Sequence, residues 1–84
     1  MNILKKFIDN NDLVIGPGSR NTPLTALCGF ALYKNLTVED VKHAINTDDV
    51  VTNKEAERVF DYAKLKNYNK WWEIEENRKR YVIE

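Results

Sequence analysis

The chain contains one cysteine, one histidine and one methionine, with only three glycines and two prolines. A single cysteine, Cys28, excludes an intramolecular disulfide and fits a reducing compartment. One histidine, His43, and one cysteine make no ligand set for zinc. The Asp48-Asp49 pair lacks the spacing of a calcium loop, and no phosphate-binding lysine motif is present. No metal or cofactor is therefore expected. Catalysis is not expected either, because Cys28 sits in an apolar run, where thiols are usually inert. No apolar run approaches the roughly 20 residues of a membrane span. The opening segment MNILKKFIDNND lacks the long apolar centre and cleavage site of a signal peptide, so a cytoplasmic setting is expected. An excess of charge is missing as well: thirteen basic and thirteen acidic residues cancel. That removes the simplest signature of a protein that binds nucleic acid or an acidic membrane.

What is present points to one small domain over residues 1–84 with a modest core. Asn and Lys are frequent, a usage associated with AT-rich genomes, including those of phages and mobile elements. Ile3, Leu4, Phe7 and Ile8 recur at helical spacing and predict a short helix that ends at the turn cluster Asn10-Asn11-Asp12. Leu13-Val14-Ile15 reads as a short strand before a glycine-proline loop. Thr22-Pro23 has the form of a helix start, a hydroxyl cap followed by proline. From Leu24 to Tyr33 nearly every residue is apolar, so this helix is expected at the centre with neighbours around it. Gly29 in its middle suggests a close crossing by another element. Thr37 with Asp40 approximates a capping box for a third helix, and Thr52 with Glu55 forms one for a fourth, running to about Asn67. From Trp71 the period becomes alternating: Trp72 and Ile74 oppose Glu73 and Glu75, and Tyr81 and Ile83 oppose Arg80 and Val82. With the polar stretch Glu76–Lys79 between them, these segments predict a two-stranded hairpin.

The expected class is therefore mainly α with a C-terminal β-hairpin. It comprises an N-terminal helix and loop over 1–22, a helical core over 23–69 and the hairpin over 70–84. Over Pro23–Glu84 this element order resembles the winged-helix variant of the helix-turn-helix, with three to four helices and a two-stranded wing. The resemblance implies that the helix 52–67 enters the DNA major groove while the hairpin 71–83 touches the backbone. Asn53, Lys54, Arg58 and Lys64 on the helix and Arg78, Lys79 and Arg80 at the wing tip would then contact double-stranded DNA. Zero net charge suggests binding as a homodimer or with a partner. Glu55, Glu57 and Asp61 on the same helix and Glu73, Glu75 and Glu76 in the hairpin oppose that reading, because they repel phosphates. A solvated helix face and a charged turn that protects a sheet edge would carry the same residues.

The paired tryptophans open a second reading. On a strand Trp71 and Trp72 face opposite sides, so one is left exposed, with Tyr68 nearby in sequence. Trp and Tyr dominate binding hot spots, and the alternative is a protein-binding inhibitor or adaptor, phage-encoded, that blocks a host protein complex. Equally, the second tryptophan packs on the N-terminal helix.

The stretch VIGPGSRNTPLT, residues 14–25, resembles a P-G-S-R-x-x-P-L-T run in the carboxycyclohexadiene synthase of menaquinone synthesis, a thiamine-diphosphate enzyme. The resemblance implies that Ser19 and Arg20 lie near bound carboxylates. The cofactor of that enzyme needs several large domains, so the match is read as local. It leaves Ser19 and Arg20 as a candidate anion site beside a helix N-terminus, or as a tight turn into the central helix.

Overall fold

A computed structural model describes residues 3–16 and 21–83. Within them the chain forms six helices: α1 (Ile3–Asn10), α2 (Asn21–Tyr33), α3 (Val38–Ile45), α4 (Val50–Leu65), α5 (Tyr68–Glu73) and α6 (Glu75–Arg78). Helix α2 is the centre of the fold, and α1, α3, α4 and α5 all pack against it. The apolar sequence of α2 is the cause. Leu24, Leu27, Cys28, Phe30 and Ala31 are buried and Ala26, Leu32 and Tyr33 half-buried, so most of the helix surface is turned towards its neighbours.

Local signals place the first helices. Leu4 and Phe7 turn one face of α1 into the core. Asp12 then adopts a left-handed conformation (φ 51°), and the Leu13 N–H returns to the Ile8 carbonyl at 3.0 Å, which ends the helix. At α3 the Thr37 hydroxyl accepts the Asp40 N–H, while the Asp40 carboxylate accepts the Thr37 N–H at 2.9 Å, a complete capping box. These bonds hold the Asp40 carboxyl below the usual carboxylate range, the Thr37 N–H contributing most.

Two expected details differ. Leu13-Val14-Ile15 is not a strand, and no strand occurs among the described residues. Leu13 and Ile15 pack partly against the core while Val14 faces out, so the alternation is real, but no second strand lies beside it. The cap of α4 is Asp49 rather than Thr52. Thr52 stands at the third position inside the helix, buried, and both its N–H and its hydroxyl donate to Asp49 Oδ2, at 2.7 and 2.6 Å. A carboxylate that accepts two donors outcompetes a lone hydroxyl as a cap, and the Thr52 bonds lower the Asp49 pKa.

The larger correction concerns the C-terminus. The expected hairpin over 71–83, and with it the wing and the α+β class, is absent. Those residues form the second half of α5, all of α6 and an irregular tail. The alternating reading needs Trp72 and Ile74 on one face, yet Trp72 is 2% exposed and Ile74 55%. The relevant spacing is instead Tyr68 to Trp72, four residues apart on one helical face. It begins upstream of the segment in which the alternation is seen. Asn67, left-handed at φ 56°, lets α5 start at once after α4. Ile74, extended at ψ 120°, then separates α5 from α6.

Gly29 explains why α5 lies where it does. A Cβ built there would meet Trp72 Nε1 at 2.8 Å and Cδ1 at 3.2 Å, so the indole lies directly on the glycine backbone. The expected close crossing is thus made by α5. Around it the rings are continuous: Phe7 stacks on Phe30 at 4.4 Å between centroids, and Trp72 meets both, at 5.6 and 5.2 Å. On the other side of α2, Cys28 Sγ faces the Ala56 carbonyl at 4.0 Å, and burial pushes this thiol up to about 12. It therefore stays protonated and serves as a small core residue.

Candidate functional site: an aromatic cleft between α2, α5 and the tail

Trp71 and Trp72 are successive helical residues, so their side chains diverge by about 100° rather than the 180° of a strand. Trp72 enters the core, and Trp71, 37% exposed, remains at its edge with its ring 5.1 Å from that of Trp72. Tyr81 from the tail completes the group, 4.9 Å from Trp72, 6.2 Å from Trp71 and 5.5 Å from Phe7. The rings thus run without a break from the Phe7–Phe30 stack out to the surface.

A cleft of about 440 Å³ opens at that outer end. Thr22, Thr25 and Ala26 from the first turns of α2 line it, together with Tyr68, Trp71 and Trp72 from α5 and Tyr81 from the tail. Among the described residues, no acidic or basic side chain lines it. Tyr68 also meets Tyr62 of α4, with centroids 5.9 Å apart, which extends the aromatic surface beyond the cleft. Desolvation, followed by a hydrogen bond with Tyr62, raises the Tyr68 phenol above its ordinary value, so it is neutral at physiological pH. Leu65, three residues after Tyr62, is 77% exposed at the end of α4.

Side-chain clamps hold the walls. The Arg78 guanidinium donates through Nη1 to the Tyr33 hydroxyl at 3.0 Å and to the Trp72 and Glu73 carbonyls at 3.1 Å each. Its carbon lies 5.7 Å over the Tyr33 ring. Asn77 Nδ2 donates to the Trp71 carbonyl at 2.9 Å. Three carbonyls that end α5 are thereby satisfied by side chains, and the cation stands at the negative end of the helix. The tail is held by Asn11. Its Nδ2 donates to the Val82 carbonyl at 2.8 Å, and its Oδ1 accepts the Val82 N–H at 2.7 Å. The two bonds are those a neighbouring strand would have made, supplied here by one amide side chain.

The three candidate protein-contact residues, Tyr68, Trp71 and Trp72, are therefore brought together in one cleft. The candidate DNA contacts are not. Asn53, Lys54, Arg58 and Lys64 lie on α4, whereas Arg78 is on α6 with Lys79 and Arg80 just beyond. Helix α6 packs on α5 and not on α4. Asn53 is half-buried and donates to the Thr47 carbonyl at 3.1 Å, tying down the loop before α4. Arg58 forms a two-point ion pair with Glu55, and Arg78 is committed to the clamp above. Lys54, Lys64, Lys79 and Arg80 are exposed. Between the basic residues of α4 stand the exposed Glu57 and Asp61, and Glu57 pairs with Lys42 of α3 at 3.2 Å. The candidate anion residues Ser19 and Arg20 lie outside the described residues.

Sequence reasoning missed Tyr81, Thr22, Thr25 and Ala26 as cleft residues, and Asn11, Asn77 and Arg78 as its supports. The spacing of Tyr68, Trp71 and Trp72 at i, i+3 and i+4 was the available signal for a helix. Nothing local marks Asn11 or Tyr81, which reach Val82 and Phe7 at the opposite end of the chain. No protein family matches the chain, and no curated protein or solved structure is significantly similar to it. No helix among the described residues is long and apolar enough to cross a membrane.

Proposed function

We propose that the chain is a protein-binding module, an adaptor or inhibitor, whose contact surface is the aromatic cleft. The observation that carries this reading is the lining: among the described residues, four Trp and Tyr side chains and no charged group around 440 Å³. That volume lies within the range of ligand sites, and Trp and Tyr are the side chains that supply most binding energy at interfaces. The end of α5 and the tail are held by the Arg78, Asn77 and Asn11 hydrogen bonds, so little order has to be gained there when a partner enters.

Contact with duplex DNA draws on Lys54, Lys64, Lys79 and Arg80, and it has the weaker support. Its basic residues fall on α4 and at the end of α6, two helices that do not pack on each other, acidic residues are interspersed, and Arg58 and Arg78 have intramolecular partners. One pair of measurements decides between the readings. Immobilised protein is exposed to nuclease-treated lysate, and the retained partner is compared for the wild type and Trp71→Ala. In parallel, the wild type is titrated against duplex DNA at low salt. A stoichiometric protein lost with Trp71→Ala is the expected result. DNA binding that Lys54→Ala and Lys64→Ala together abolish, with no protein retained, replaces the reading.

A further inference from the structure

We infer that α4 carries a second contact surface, distinct from the cleft, at which the chain pairs with a second copy of itself, the two α4 helices lying antiparallel. Helix α4 spans 16 residues, about 24 Å, and its core face is Thr52, Ala56, Val59, Phe60 and Ala63. A second row, Val51, Glu55, Arg58, Tyr62 and Leu65, advances in alternating steps of four and three residues. That is the spacing of a seam between two paired helices. Its first four members each precede a core residue by one position, about 100° around the helix. The row is open to solvent: Val51 is 72% exposed, Tyr62 47% and Leu65 77%, and the Arg58 side chain is 62% exposed.

The order of charges along the row says what the occupant is. Apolar residues stand at both ends, with an acid and then a base between them. Read backwards, the same row is its own complement. Val51 meets Tyr62 of the second copy, Glu55 meets its Arg58, and the twofold repeats both contacts. A parallel pair would set Glu55 on Glu55 and Arg58 on Arg58, and the like charges disfavour it. Within one chain Arg58 already donates from Nε to Glu55 at 3.2 Å. Two such pairs brought head to tail make a ring of four alternating charges, which adds attraction without breaking the bond already there. Beside the row the exposed Lys54 and Asp61, two helical turns apart, share one flank. In an antiparallel pair that flank faces its own counterpart, so Lys54 falls near Asp61 of the second copy. The zero net charge of the chain removes the general repulsion between copies.

The test is sedimentation of the intact chain from micromolar to millimolar concentration, with circular dichroism to confirm that each variant is folded. The wild type is expected to pass from monomer to dimer as concentration rises. Arg58→Glu makes the centre of the seam wholly acidic and should weaken the dimer roughly tenfold or more. Glu55→Arg makes it wholly basic and should do the same. Mixed in equal amounts, these two variants carry complementary centres and should form a heterodimer although neither pairs alone. A loss of stability cannot produce that rescue. The double variant Glu55→Arg with Arg58→Glu restores antiparallel complementarity within one chain and should dimerise as the wild type does. Trp71 lies outside the seam, so Trp71→Ala should leave the dimer intact. A wild type that is monomeric throughout, a dimer indifferent to Arg58→Glu, or a mixture that stays monomeric each overturns the inference. A dimer lost with Trp71→Ala moves self-association to the cleft and overturns it too. If the dimer behaves as expected and no lysate protein is retained, the α4 pairing stands and the protein-binding reading of the cleft falls. The reverse result keeps that reading and removes the pairing.

Discussion

The two halves of this small fold are held together by different means. On one side of α2, helices α3 and α4 are set by short-range chemistry: the Thr37–Asp40 box, the Asp49–Thr52 cap and the Lys42–Glu57 ion pair. Their buried faces mix the small Ala44, Thr52, Ala56 and Ala63 with Val41, Val59 and Phe60. Elsewhere, α1, α5 and the tail are joined by large rings and by side chains that reach across the chain: Phe7, Trp72 and Tyr81 meet, Asn11 holds the Val82 backbone and Arg78 the Tyr33 hydroxyl. The helix starts of the capped half are set by contacts within a few residues along the chain, with the Lys42–Glu57 pair joining the two helices, whereas the aromatic half depends on contacts across the chain. The candidate site lies in the second half. Exposed aromatic surface can be kept there because the same ring cluster continues into the core and fixes it.

The contrast breaks most visibly at Gly29 and Trp72. Trp72→Ala should cost about 3–5 kcal/mol, because it empties the centre of the ring cluster. In a domain whose total stability is of order 5–15 kcal/mol, that is enough to approach unfolding in urea. Gly29→Ala should also destabilise, although alanine favours a helix interior by about 1 kcal/mol, since overpacking costs about 1–3 kcal/mol. The new methyl has no room beside the indole at 2.8 Å. Made in a Trp72→Phe background, the same change should be neutral or stabilising. A higher urea midpoint for Gly29→Ala alone would show that the α2–α5 crossing is looser than described.

Next in size is the Arg78 clamp. Arg78→Lys keeps the charge but cannot serve Tyr33, Trp72 and Glu73 together, so a loss of roughly 1–2 kcal/mol is expected. Hydrogen exchange should accelerate in α5 more than in α4. Uniform acceleration across both helices would erase the distinction between the halves.

Asn11→Ala should have a smaller effect on global stability, about 1 kcal/mol, but should free the tail around Val82. Limited proteolysis near Arg80 reads this directly, and cleavage no faster than in the wild type contradicts the clamp.

The smallest effect belongs to the capped half and is a matter of pH. The Asp40 and Asp49 carboxyls are both held below the ordinary value of 3.8. A group whose folded pKa is depressed contributes stability that is present above its unfolded pKa and lost as pH falls through its folded value. Acid should therefore loosen α3 and α4 below about pH 4, while the tyrosine and tryptophan contacts are indifferent to it. Asp49→Asn, which keeps an acceptor for Thr52, should remove part of that acid sensitivity in a thermal melt series from pH 6 to 3 (about 3 units spans the transition). An unchanged slope would assign the acid sensitivity elsewhere.

The sequence by itself determined the helices whose signals are local. The Leu4–Phe7 face of α1, the all-round apolar α2 at the centre and the boxed start of α3 follow from spacing within four residues and from one cap. The start of α4 was legible to within three residues, because Asp49 and Thr52 both have capping chemistry and only the fold chose the carboxylate. The C-terminal segment from Tyr68 onwards was beyond local reading. Trp71–Glu75 satisfies an alternating pattern as well as a helical one, and over so short a run neither period prevails. What decided it was the bare backbone at Gly29, forty-three residues upstream, which accommodates the Trp72 indole, and then Arg78, Asn77 and Asn11, which took up carbonyls and amides that a hairpin would have paired. Caps and periodicity act between neighbours in the chain and can be read from it. The cleft comes from rings and clamps that meet only after the chain has folded, so only the tertiary structure could place it.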